Sequence, residues 1–348
     1  MKCGLKLSFL LFAGTLFSQD DGLARIENSW KANTIRMDEI WFAHEKAIED
    51  KFKSLEKRIA KTWNRLERST QFTNVQYADD GKSLTKIAFD TGTITVEVID
   101  EAAKEDFQKG AMQKKLYDNL REASSAPDGN NVVYLKNQIG IEELQKAEKN
   151  ITRTAYKAGD GKQRVLYGMT VPLKKDHMTQ RAAQYAPLVQ AAASKYEIPA
   201  DLVMAIIESE SAFNPYADNG IAYGLMQIVP SSGGAAASKT VFGKEIVIST
   251  YKLKKPELSI ELGSALLYQS LYWKAYFGKY AHVKDKQELM AIAGYNCGAP
   301  RVAKWINNNT SFLAGSTANF FSRLKNFVPQ ETKNYLDKVP VRRAKYKN

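Results

Sequence analysis

The chain is 348 residues long, 44% hydrophobic and 25% charged, an ordinary soluble composition with room for two domains of about 100 to 200 residues each. Lys and Arg number 50 against 38 Asp and Glu, a formal charge of +12 that favours a polyanionic partner such as nucleic acid, anionic lipid or an acidic cell-wall polymer. No recognition-helix motif, zinc-finger spacing or aromatic-flanked basic strand accompanies that charge, so the reading takes nucleic acid off the list of partners.

Lys2 and Lys6 precede an apolar run from Leu7 to Phe17 that ends at the small Ser18. Residues 1–18 read as a signal peptide and predict an exported, periplasmic protein. The run is shorter than the ~20 residues of a spanning helix, and an uncleaved anchor is the alternative. Peripheral or anchored contact with a membrane is therefore one expected partner. Of the 2 cysteines, cleavage would leave Cys297 alone, which forbids an internal disulfide and makes the fold rest on its apolar core.

From Ile40 to Leu66 the apolar positions Trp41, Ile48, Phe52, Leu55, Ile59, Trp63 and Leu66 recur at helical spacing and predict one long amphipathic helix with a core-facing stripe. Lys86 to Phe89, the turn Asp90-Thr-Gly-Thr93, and Ile94, Val96 and Val98 alternating with Thr95 and Glu97 predict a β-hairpin. A second alternating set, Val165, Tyr167, Met169 and Val171, with Val132 to Leu135 between, predicts a small sheet. Helices near Glu101 to Ala123 and Ile141 to Tyr156 would flank it. Pro172 and the charged segment after it interrupt the pattern, and the expected boundary divides residues 19–174 from residues 175–348.

Beyond the boundary the reading is almost entirely helical. Ala183, Tyr185, Leu188, Val189, Ala192 and Tyr196 mark one helix, and Pro199 with Asp201 starts the next. Ser231 to Ser238 reads as a loop or helix entry, and Leu262–Trp273, Glu288–Ala293 and Val302–Ile306 continue as helices. The expected fold class is α+β overall: an N-terminal α/β domain with a small sheet and a long helix, then a mostly α C-terminal domain.

The apolar run Leu202 to Ile207 leads into Glu208 and Glu210. Two carboxylates two residues apart diverge by about 200 degrees around a helix, so they cannot act as a facing acid and base pair. Glu210 lines up with Ile206 and Val203 and is predicted to point inward at the helix end; Glu208 is predicted to be a surface charge. Burial of Glu210 would raise its pKa and make it an acid near neutral pH.

Three short signatures follow in order: Glu210-Ser-Ala-Phe-Asn-Pro215, Gly224-Leu-Met-Gln227, and Ala293-Gly-Tyr-Asn-Cys-Gly298. Their order and spacing resemble the lytic transglycosylases of the lysozyme-like superfamily. Ile87 to Glu97, Tyr167 to Leu173 and His177 to Tyr196 are similar to stretches of a membrane-bound branch of that family, so the resemblance covers nearly all of the mature chain. It implies a lysozyme-like C-terminal fold and a peptidoglycan glycan strand as the partner. The implied reaction is non-hydrolytic cleavage of the MurNAc-β-1,4-GlcNAc bond, leaving a 1,6-anhydromuramyl end. Glu210 would be the catalytic acid and then base, with Gln227, Met226, Tyr295, Asn296 and Tyr335 as substrate-binding residues; Met226 also reads as packing, together with Phe213.

The sequence departs from that family in three places. Cys297 stands where glycine is common, the stretch from Glu210 to Gln227 is one residue short, and Lys255-Pro-Glu-Leu-Ser-Ile260 replaces an Asp-Pro-x-x-Asn-Ile pattern. Cys3 precedes the apolar leader instead of closing it, so no lipoprotein cysteine is evident. His44, His177 and His282 make no metal-ligand spacing, and no metal or cofactor is expected. Cys297, without a histidine-bearing motif, reads as a small packed side chain. Two other functions stay open: a goose-lysozyme-like hydrolase, and a non-catalytic wall-binding protein.

Overall fold

The computed structural model describes residues 50, 53–101, 109–129 and 131–347. The predicted leader and the predicted helix before residue 50 lie outside them. The chain divides into two compact units, Met1–Arg58 and Ile59–Asn348; of the first, the described part is helical.

Residues 53–62 form α1, which stops short of the predicted end at Leu66. The cause is a competing set of partners for its last carbonyls. Asp160 N–H donates to Lys61 O (2.9 Å), Gly159 N–H to Trp63 O (3.2 Å) and Tyr156 Oη to Thr62 O (2.8 Å). These bonds take the orphan acceptors that end any helix, and the buried Trp63 indole turns away to donate to Gly81 O at 2.7 Å.

A five-stranded antiparallel sheet follows, in the order β1-β2-β3-β5-β4, with β1 Thr73–Tyr77, β2 Ser83–Ala88, β3 Thr93–Asp100, β4 Thr152–Lys157 and β5 Gln163–Pro172. The predicted hairpin is β2–β3, closed by Gly92 at φ +70. Ile94, Val96 and Val98 are wholly buried, and in register with Val171, Met169 and Tyr167 of β5. Helix α2 (Lys109–Ser125) lays Met112, Leu116 and Leu120 in the same apolar cluster, as strand alternation and helical periodicity together require.

Two expectations here need correction. The helix predicted from Ile141 to Tyr156 is only α3, Ile141–Lys149, and Tyr156 lies in β4. Strand β4 is nearly all exposed, so it has no apolar alternation to announce it; pairing with β5 makes it a strand. Val132 to Leu135 is a turn with a single bridge from Val133 to Pro127, not a strand. Its Tyr134 and Leu135 are core residues all the same.

The helical part comprises α4 His177–Tyr196, α5 Ala200–Ser211, α6 Ala235–Phe242, α7 Thr250–Leu253, α8 Pro256–Tyr272, α9 Lys284–Cys297, α10 Ala299–Asn307, α11 Thr317–Phe327 and α12 Gln330–Arg343. The α+β class is as the sequence predicts. Helix α5 is the centre of this part: Leu202 through Ser209 are buried without a gap, the mark of a helix enclosed on all sides.

Candidate active site

Helix α5 ends in two residues that L side chains rarely tolerate, Ala212 at φ +51 and Phe213 at φ +60. Left-handed backbone at such residues costs of order 1 kcal/mol each and persists only where neighbours hold it. Here Arg181, wholly buried, donates from Nε to Ala212 O (3.4 Å), from Nη1 to Gln138 Oε1 (2.6 Å) and from Nη2 to Phe89 O (2.6 Å). Asn214 Nδ2 donates to Gln71 O (3.2 Å), Tyr216 Oη to Pro127 O (2.5 Å), and the Phe213 ring stacks against Tyr185. The turn after Glu210 is thus tied to the strand-bearing part of the chain.

Glu210 sits on the last turn of α5, partly exposed by surface area yet closely surrounded by protein atoms. Those two facts describe a carboxyl set among protein atoms with one edge reaching the surface. Desolvation pushes its pKa up to about 7; a hydrogen bond from Tyr335 and the charge of Arg342 pull it back, and Glu331 adds a smaller upward push. The Tyr335 hydroxyl is buried and makes no bond of good geometry among the described residues, yet it lies close enough to the Glu210 carboxyl to lower its pKa. Burial, and next the neighbouring Glu210, hold the Tyr335 and Tyr295 hydroxyls well above the ordinary tyrosine value. Both remain neutral donors at any working pH.

The Gly224-Leu-Met-Gln227 segment is threaded between α5 and α8. Ser211 Oγ donates to Leu225 O (2.8 Å), and Met226 N–H donates to Ser259 Oγ (3.2 Å). A Cβ on Gly224, which has φ +77, would lie 1.9 Å from Leu253 O; only glycine fits. Gln227 adopts φ +48 with Nε2 donating to Gly224 O (3.1 Å), and its buried Oε1 has no partner. Tyr295 Oη donates to Met226 O (2.8 Å), and Thr332 Oγ donates to Asn296 Oδ1 (2.6 Å).

A cavity of about 450 Å³ opens beside these groups, lined by Gln227, Tyr295 and Asn296 with Ser232, Gln269, Tyr276 and Pro300 among others. Glu210 is outside that lining, and Tyr295, which is in it, lies near enough to feel the Glu210 charge. The structure therefore gathers Glu210, Tyr295 and Tyr335 in one electrostatic cluster and sets Gln227 and Asn296 on the adjoining wall. Met226 is not in the groove: its side chain is wholly buried, against Gly263, and only its backbone carbonyl serves the site.

Glu208 corrects a second expectation. It is 3% exposed, not a surface charge, because the end of α12 and the residues after it cover it. Lys345 Nζ (2.7 Å), Tyr346 Oη (2.6 Å) and Arg342 Nε (3.4 Å) surround its carboxylate. Thr332 and Arg342 are site neighbours that sequence reasoning missed. Thr332 stands one helical turn before Tyr335, a spacing that could have found it; Arg342 left no such signal. The Cys297 thiol is half-buried with its pKa pushed up by burial, the reverse of an activated nucleophile. Among the described residues no cluster of His, Cys, Asp and Glu is arranged to hold a metal ion, and no helix is long and apolar enough to cross a membrane.

Residues 187–315 match the transglycosylase SLT domain family. The chain carries that domain, with Glu210, the Gly224 segment and Tyr295 inside the matched span, and it is an enzyme of the lytic transglycosylase class. Over 78% of its length it is similar to proteins named membrane-bound lytic murein transglycosylase C. That of Pectobacterium atrosepticum is 27% identical over 297 residues, and that of Yersinia enterocolitica 28% over 296, each covered to 82%. Among solved structures, the 70 kDa soluble lytic transglycosylase SLT70 of Escherichia coli aligns with 29% identity and a TM-score of 0.39. The alignment covers 49% of this chain and spans a quarter of that one, 25%.

Proposed function

We propose that the chain cleaves the MurNAc-β-1,4-GlcNAc bond of peptidoglycan without consuming water, with residues 175–348 as the catalytic domain and residues 19–174 as a family-specific N-terminal domain. The neutral Glu210 carboxyl gives its proton to the glycosidic oxygen as the C1–O bond breaks. The resulting carboxylate then takes the proton of the muramyl C6 hydroxyl as that oxygen bonds to C1, closing a 1,6-anhydro ring and returning Glu210 to its starting state. One group serves both steps, so a pKa near 7 suits it to act as acid and as base. Tyr335 donates toward the carboxylate formed between the steps, and Gln227, Tyr295 and Asn296 line the wall where the glycan strand would lie.

The observation that carries this reading is the desolvated Glu210 with two neutral tyrosine hydroxyls beside it. Mass spectrometry of the fragments released from purified sacculi tests it. Anhydro products, lighter by one water than those of a muramidase, are expected, and Glu210→Gln is expected to abolish release while leaving the fold intact. Reducing-end products would assign the site to a hydrolase. The leader-like residues 1–18 and relatives named membrane-bound support export to the envelope, where the charge of +12 would favour the anionic wall and membrane surface.

A further inference from the structure

Between α6 and α7, every residue from 242 to 247 is exposed. Phe242, Ile246 and Val247 stand in that stretch and Tyr251 follows on α7, so four large side chains open to solvent fall within ten positions. The other exposed large apolar side chains among the described residues are spread from Leu66 to Val341, never more than two in a span of that length. Single ones need no explanation, whereas a group marks a contact surface. The loop is also pinned. Ser238 of α6 is wholly buried, and its Oγ accepts from Ile246 N–H at 2.8 Å and donates to Ala235 O at 2.7 Å. Gly243 turns the chain out of α6 at φ +75, Ile248 is buried on the far side, and Ser249 Oγ caps α7 by accepting from Lys252 N–H at 3.4 Å. These bonds fix the backbone while Val247 stays 68% exposed.

The charge around the loop is one-sided. Lys239, Lys244, Lys252, Lys254 and Lys255 stand against a single acid, Glu245, between residues 239 and 255. Lys254 is paired with Asp218 at 2.7 Å, and the Lys255 ammonium lies 5.7 Å from the centre of the Tyr251 ring. We propose that residues 242–251 are a membrane-docking surface for an anionic phospholipid bilayer. Phe242, Ile246 and Val247 enter the boundary between headgroups and acyl chains, Tyr251 sits at its polar edge, and the lysines meet the lipid phosphates. A hydrated acidic polymer can satisfy the lysines but gives the apolar side chains nothing to bury against; a bilayer with anionic headgroups meets both needs. The proposal goes beyond an envelope location, because it gives the folded chain its own seat on the membrane, and it does not depend on the reaction proposed for Glu210. Ala236, also on α6, lines the cavity, so seating the loop would hold that cavity within one short helix of the bilayer.

The test uses the full chain and is read at the loop itself, because the apolar run Leu7 to Phe17 in the same chain can also bind lipid. Val247→Trp, and Ile141→Trp as a control at an exposed position of α3, are mixed with vesicles of phosphatidylglycerol and phosphatidylethanolamine whose brominated acyl chains quench a tryptophan that reaches them. Quenching beyond that of the parent is expected for Val247→Trp and not for Ile141→Trp, and it should weaken on phosphatidylcholine vesicles and in high salt. In the Val247→Trp background, Lys239→Gln and Lys244→Gln should each weaken seating of the loop about fivefold on the anionic vesicles. Phe242→Ser should weaken it by on the order of tenfold on both kinds of vesicle. No extra quenching at position 247, equal quenching at positions 247 and 141, or a loss with the lysine variants but none with Phe242→Ser overturns the proposal. Emission at position 247 that shifts on sacculi but not on vesicles overturns it too, and gives the surface to the wall polymer.

Discussion

Replacing Glu210 by Gln should make the folded chain more stable, and the size of the gain should depend on pH in a way no packing change imitates. A glutamate ordinarily titrates near 4.5, and burial holds Glu210 at about 7. Between those values the folded chain keeps a proton that the unfolded chain has released, so stability falls as pH rises through the window and is fully reduced above the upper value. At about 1.4 kcal/mol for each pH unit of separation, the loss reaches ~3 kcal/mol. The amide of Glu210→Gln never ionises and escapes that loss. Variant and parent should therefore unfold alike at pH 4, diverge through pH 6, and differ by ~3 kcal/mol at pH 8, which corresponds to a Tm gain of roughly 6 °C for a unit of this size. Calorimetric or denaturant melts at the three pH values measure it. An equal gain at pH 4 and pH 8 would attribute the effect to packing, and no gain at pH 8 would mean the carboxyl is not desolvated.

Two further substitutions test the frame around that acid. Gly224→Ala places a Cβ against Leu253 O at a backbone angle that disfavours any side chain, and a loss of about 2 to 4 kcal/mol in a thermal melt is expected; an unchanged Tm would refute the close approach. Arg181→Met leaves Gln138 Oε1, Phe89 O and Ala212 O without their donor. Each buried orphan costs ~1 to 3 kcal/mol, offset by release of a guanidinium whose pKa burial pulls down to about 10. A net loss of ~3 kcal/mol and a lower kcat are expected by urea melt and turnover assay; a Met variant as stable as the parent would show that desolvating the cation consumes what its three bonds supply.

The elements that could be read from the sequence are those whose apolar pattern is set by their own burial. Strands β2, β3 and β5 alternate because one face is wholly covered, and α4, α8 and α9 show helical spacing for the same reason. Strand β4 is exposed along almost its whole length and α1 ends on bonds from a distant hairpin, so neither leaves a local trace. At the site, the inward placement of Glu210 was legible because it lines up with Ile206 and Val203, both buried on α5. Glu208 and Glu210 diverge around α5, as helical geometry requires, but helical periodicity cannot say that a later helix covers Glu208. Met226 shows the same limit: it is adjacent in sequence to a residue on the cavity wall, yet its side chain points into the core.

The strand-bearing part of Ile59–Asn348 is bound up with the position of Glu210, and the anchors of residues 212–218 show why. Ala212 and Phe213 hold backbone angles that cost of order 1 kcal/mol each, and a free loop would relax them. They are kept by Arg181, itself bonded to Phe89 O and Gln138 Oε1, by Gln71 O under Asn214, by Pro127 O under Tyr216, and by Thr70 O, which accepts from Asp218 N–H at 3.4 Å. Every one of those final acceptors lies before residue 174. The SLT match begins only at residue 187, so the matched span contains the proposed acid, Glu210, but not the groups that fix the turn immediately after it. A carboxyl acting as proposed for Glu210, giving a proton to one oxygen and taking one from another, tolerates little displacement. On that proposal the accuracy required gives the sheet a physical role in holding Glu210, although the helical part has its own apolar core.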